Sequence, residues 1–191
     1  MRSFAVLLLL ALIVPPGAVA QPVQPLEPIT TELLEMRAPA LTGWQIKQKT
    51  QTRVTFTRVG FGPNGTLAAV AIAFAIESPR NKEHFLEQIR AGIERDTPAS
   101  RFFKIQTALV YEETRGYPCA RYKAIHEDRS AQTVAGAKKT LRMQDHSLYC
   151  LYPYAQGAAF VAGYSHRGED LHEEFEVAAR EFIETVKARA R

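Results

Sequence analysis

The chain is 191 residues long, with 24 lysines and arginines against 20 acidic residues, a formal net charge of +4 and two cysteines. That length suits one domain able to bury its own core. The basic residues are interspersed with acidic ones and form no aromatic-basic cluster, which argues against nucleic acid as a partner. Two cysteines are too few to act as the scaffold of the fold.

Arg2 followed by the uninterrupted apolar run Phe4 to Val14 has the order of a secretory signal, and the run is too short to span a bilayer. Pro15, Pro16 and Gly17 break it, and Ala18, Val19 and Ala20 form the small-x-small pattern of a cleavage site. Residues 1–20 therefore read as a signal peptide cut before Gln21. No cysteine stands near that point to accept a lipid. Arg2 is the only charge before Gln21, so its loss leaves 171 residues with a net charge of +3. The expected destination is the periplasm or the exterior, with no membrane span in the mature chain.

Prolines at 22, 25 and 28 predict an extended, proline-rich tether over residues 21–32, with a short helix at Thr30 to Met36; a single domain is expected over 33–191. Trp44 to Lys49 and Arg53 to Val59 read as strands, and Gly60 to Gly65 is dense in turn residues. From Ala69 to Ile76, alanines at 69, 71, 73 and 75 alternate with Val70, Ile72, Phe74 and Ile76, the pattern of a central strand covered on both faces. Asn81 caps a helix that runs to Asp96 with Phe85, Ile89 and Ile93 on one stripe.

Phe102 to Glu113, Pro118 to Glu127, Leu141 to Tyr152 and Ala158 to Ser165 are strand-like. A final amphipathic helix spans Asp170 to Ala188, with Asp170 and Glu173 as a capping box and Lys187, Arg189 and Arg191 complementing the dipole. The expected fold class is α+β: a mainly antiparallel sheet of about seven strands flanked by two main helices.

Cys119 and Cys150 fall in consecutive strands. In an antiparallel hairpin, paired residue numbers have a constant sum, so pairing these two centres the turn between Val134 and Ala135, among small and polar residues. The same register sets Glu127 opposite Arg142 and His146 opposite Lys123. A disulfide is expected, closing a loop of about 30 residues and contributing roughly 3 to 4 kcal/mol.

Few residues suggest chemistry. Ser165, at a strand-to-helix junction between Tyr164 and His166, sits where a hydrolase nucleophile would stand, but Arg167 replaces the glycine that motif requires. His166, His172, Glu169, Asp170 and Glu173 are close in sequence yet match no metal-ligand spacing. No cofactor-binding glycine loop is present. Tyr149, Tyr152, Tyr154, Phe160 and Tyr164 form an aromatic group that could line a ligand cleft or partner surface.

Gly43-Trp44 before the first strand, the Ala-Val-Ala-Ile-Ala-Phe-Ala-Ile strand, Gly116-Tyr117-Pro118 leading into Cys119-Ala-Arg-Tyr122, Leu148 to Tyr152, and the helix ending Phe182-Ile-Glu-Thr-Val186 together resemble the PsbP-like family. The resemblance implies an α/β/α sandwich used chiefly as an assembly or binding module, and it carries over no catalytic residue. The function expected is a non-catalytic, exported binding or accessory module acting on a protein or envelope component. Its alternatives are a small hydrolase using Ser165 and a carrier of a lipid or small apolar ligand.

Overall fold

A computed structural model of the chain describes residues 20–62, 64–132 and 138–190. In chain order the elements are β1 (Gln21–Pro22), β2 (Pro28–Thr30), β3 (Leu34–Arg37), β4 (Gln45–Lys49), β5 (Arg53–Val59), β6 (Thr66–Ala75), α1 (Lys82–Asp96), β7 (Phe102–Glu112), β8 (Cys119–Gln132), β9 (Lys138–Leu151), β10 (Ala158–Gly168), α2 (Phe175–Thr185) and β11 (Lys187–Ala188). Eight strands form one antiparallel sheet in the order β1-β4-β5-β6-β10-β9-β8-β7, and β11-β3-β2 form a second, small sheet.

This corrects the expected α/β/α sandwich of about seven strands: the fold is mostly β, with eleven strands and two small helices among the described residues. The segment Thr30 to Met36 is where the difference begins. Leu34 and Met36 are buried while Glu35 and Arg37 are exposed, a period of two that belongs to a strand. At the other terminus the expected helix stops at Thr185. Fully buried Val186 takes extended backbone, and Lys187–Ala188 pair with β3.

Segment 21–32 is extended but packed. Gln21–Pro22 pair with β4, and Val23 and Ile29 lie in the core. In β6, register places Ala69, Ala71 and Ala73 on the face covered by α2 and the small sheet, where all three are buried. Small side chains there leave room for the α2 phenylalanines: Phe182 meets Phe56 edge-on, with ring centroids 5.9 Å apart. The bulkier Val70, Ile72 and Phe74 lie half-buried on the other face.

That other face carries α1 over the β7–β9 half of the sheet. Phe85, Ile89 and Ile93 recur every fourth residue, so one turn-by-turn stripe meets Ala120, Tyr122 and Ala124 of β8. Asn81 Oδ1 accepts from the His84 amide at 2.9 Å, a cap of the kind that contributes about 1 kcal/mol.

Candidate functional site

The β5–β6 turn begins one side of the site. Asn64 and Gly62 have φ of 62° and 72°, and a Cβ on Gly65 would lie 2.2 Å from the Phe61 carbonyl oxygen, so the turn needs its glycines. It holds Phe61 out from the sheet. The Phe61 ring stacks on His172, with centroids 3.8 Å apart, and the Arg58 guanidinium lies 5.4 Å from its centre on a cation–π path.

His172 belongs to the β10–α2 connection, which Gln144 of β9 fixes. The Gln144 Oε1 accepts from the His172 amide at 2.7 Å, and Nε2 donates to the His172 carbonyl at 3.3 Å. The capping box expected from Asp170 and Glu173 is not formed: α2 begins at Phe175, and Glu174 at its N-cap makes no side-chain cap bond. The C-terminus of α2 is served from a distance. Arg115, in the β7–β8 turn, donates to the Ile183 carbonyl at 2.7 Å and to that of Val186, in place of the lysine and arginines expected to complement the dipole.

Between these parts lies a pocket of about 260 Å³. Leu67, Tyr164, Phe175 and Ala178 line it with Pro39–Leu41, Phe61 and Val177, while His172, Glu174 and Glu181 supply its polar groups. Tyr164 is buried, touches Trp44 edge-on at 5.7 Å, and its hydroxyl is held at a pKa of about 12 by burial, against the opposing charge of Arg58. It stays neutral at physiological pH. Leu41, Phe61 and Val177 are exposed apolar side chains gathered around one opening. The arrangement can accept an apolar group, and among the described residues it assembles no nucleophile and base.

The aromatic group singled out from sequence is divided by the fold. Tyr164 lines this pocket, whereas Phe160 is fully buried against Tyr117, and Tyr149 faces α1 on the opposite side of the sheet. Tyr152 and Tyr154 meet edge-on at 5.8 Å beside a separate, wider cavity lined by Leu33, Phe74 and Ala190. Leu41, Phe61, Leu67 and Val177 were missed. Only the glycine-rich turn around Phe61 hinted at them, because an aromatic residue in such a turn has no local packing partner.

Ser165 sits in the middle of β10, opposite Asp145 and Ala68. Strand alternation sends the neighbouring His166 to the other face, and no hydrogen bond among the described residues joins Ser165 to a histidine. The His166 and His172 rings do approach, at 5.8 Å, and burial lowers the His166 pKa with help from the charge of His172. Glu169 instead binds Asn64 and Lys139. Among the described residues no group of three or more His, Cys, Asp or Glu side chains is placed to hold a metal ion.

No family model and no curated protein matches the sequence. Among solved structures, the chain is similar to LpqN, a protein involved in cell envelope biogenesis of Mycobacterium tuberculosis, with a TM-score of 0.51 and 16% identity over 90% of this chain and 91% of that one. At that identity the likeness concerns the fold. No helix among the described residues is long and apolar enough to cross a membrane, and Cys119 and Cys150 are joined as a disulfide, which suits an exported chain.

Proposed function

We propose that this chain is an exported accessory module of the cell envelope that acts by binding, and that its pocket beneath Phe61 and α2 takes one apolar group of an envelope ligand. The observation that carries the reading is the convergence of exposed Leu41, Phe61 and Val177 on a pocket whose inner wall is Leu67, Tyr164 and Phe175. Its volume, about 260 Å³, is below the range of sites that enclose a whole drug-sized ligand. It suits an acyl end or an apolar side chain. Glu174 and Glu181 put negative charge at the mouth, so the portion of the ligand left outside is neutral or cationic. The envelope role of LpqN is in keeping with this setting.

Isothermal titration with single-chain amphiphiles tests it. Decyltrimethylammonium should bind more tightly than decyl sulfate, and Val177→Asn, at an exposed position, should weaken binding about tenfold without loss of fold. Absence of binding by both amphiphiles, or binding by the Val177→Asn and Leu41→Asn variants as tight as that of the parent chain, would refute the reading.

A further inference from the structure

The acids along α2 fall into two groups. Glu176 is held, with Oε1 3.3 Å from Lys123 Nζ and 3.5 Å from His146 Nε2. Glu174 and Glu181, which both line the pocket, are left free. Both are exposed, Glu174 makes no cap bond, and neither carboxylate takes part in a hydrogen bond or ion pair among the described residues. Arg58 lies on the Phe61 ring and, among the described residues, pairs with neither.

Residues 174 and 181 are close to two full helical turns apart, so the two acids share one face of α2 at a separation of about 10 Å along its axis. Val177 and Ala178 stand between them at the pocket wall. Two free carboxylates thus bracket one apolar opening.

We infer, resting on the pocket reading above, that this opening is a docking site for a basic polypeptide segment, which places one apolar side chain beneath Phe61 and a lysine or arginine on each of Glu174 and Glu181. The spacing of the two acids selects this occupant. The head of a single-chain amphiphile is one charge at one point and answers one carboxylate at a time. A ligand that answers both while filling the pocket between them must carry two cations at that spacing with an apolar group in the middle. An extended polypeptide does so with residues i, i+2 and i+4, whose side chains share a face and span roughly 13 Å, a length that flexible lysine stems adjust to the helix. The same two carboxylates repel an anionic lipid surface.

Titration of the isotopically labelled exported chain, disulfide intact, with acetyl-Lys-Ala-Leu-Ala-Lys-amide provides the test, read by amide chemical shifts. Shifts should centre on Phe61, Val177 and Ala178, and binding should weaken as salt rises. Replacing the leucine of the peptide by alanine, or both its lysines by glutamate, should weaken binding about tenfold or more. Glu174→Gln and Glu181→Gln, at exposed positions, should each weaken binding of the parent peptide about threefold, and together about tenfold, with the circular dichroism spectrum unchanged. Binding of decyltrimethylammonium without binding of the peptide overturns the peptide proposal and leaves the pocket reading intact, whereas binding of neither overturns both. Peptide binding that the alanine peptide matches, or that the double variant retains in full, also overturns the proposal, because the apolar group or the paired charges would then select nothing.

Discussion

The Asp128 carboxylate lies 2.9 Å from Arg167 Nη2 and 3.0 Å from Arg101 Nη2, so one fully buried acid ties β8 to β10 across the intervening β9. Burial pushes this carboxyl up. The hydrogen bonds from Arg101 and Ser130 and the charge of Arg167 outweigh that and hold its pKa at about 2. Because the folded value lies below the unfolded one, the stabilisation is present above about pH 4 and is lost as pH falls toward 2. Asp128→Asn should cost about 2 kcal/mol at neutral pH, less than the roughly 3 to 5 kcal/mol of a fully enclosed pair, since both arginine side chains are partly exposed. Urea denaturation of the two proteins at pH 7 and pH 3 should show the gap narrowing at the lower value.

Asp145 behaves in the opposite sense. Burial raises its pKa to about 6, and the hydrogen bond from Ser147 Oγ, 2.8 Å long, only partly offsets it. A raised folded pKa means that folding favours the protonated acid, so this residue costs stability progressively as pH rises from about 4 through 6. Asp145→Asn should therefore stabilise the protein above pH 6 and have little effect near pH 3. The expected gain at neutral pH is about 1 kcal/mol, because the residue is partly exposed and solvent relieves much of the burial cost. Thermal denaturation across that pH range reads the sign directly.

Cys119 and Cys150 pair directly across β8 and β9, with Cα atoms 4.1 Å apart and both side chains wholly buried. Replacing both by alanine opens a loop closed over a separation of 31 residues and should cost about 2 to 4 kcal/mol in chemical denaturation. The far-ultraviolet spectrum should not change, because the strand register is also specified by Glu127 opposite Arg142 and by the buried Ala120, Tyr122 and Leu148.

Gly65→Ala tests the wall of the pocket. The added Cβ would fall 2.2 Å from the Phe61 carbonyl oxygen, so the turn must open and Phe61 must leave its stack on His172. Amphiphile affinity should fall severalfold while the stability of the β8–β9 hairpin, followed by hydrogen exchange, remains as in the parent chain.

Much of the fold is legible in the sequence wherever a local rule has no competitor. The period of two in β6, the four-residue spacing of Phe85, Ile89 and Ile93, and the constant sum linking Cys119 to Cys150 each fix an element or a register, although the turn centre at Val134 and Ala135 lies outside the described residues. The short strands are harder. Leu34 and Met36 alternate over only four residues, too few to distinguish strand from helix, and Val186 could extend the helical stripe of α2 as readily as leave it. Pairing between β3 and β11, some 150 residues apart in sequence, settles both.

By itself, the sequence determined the long antiparallel hairpin with its cysteine staple and the faces of β6 and α1, because these depend on neighbours within one or two elements; the signal-like start lies outside the described residues. The tertiary structure alone decided that the chain is mostly β, that the five aromatic residues part company, and that Phe61, Leu41 and Val177 meet over Tyr164. Those outcomes depend on which faces three separate connections bring together. A pocket made by loops from β3–β4 and β5–β6 against a helix near the other end of the chain has no periodicity of its own in the sequence.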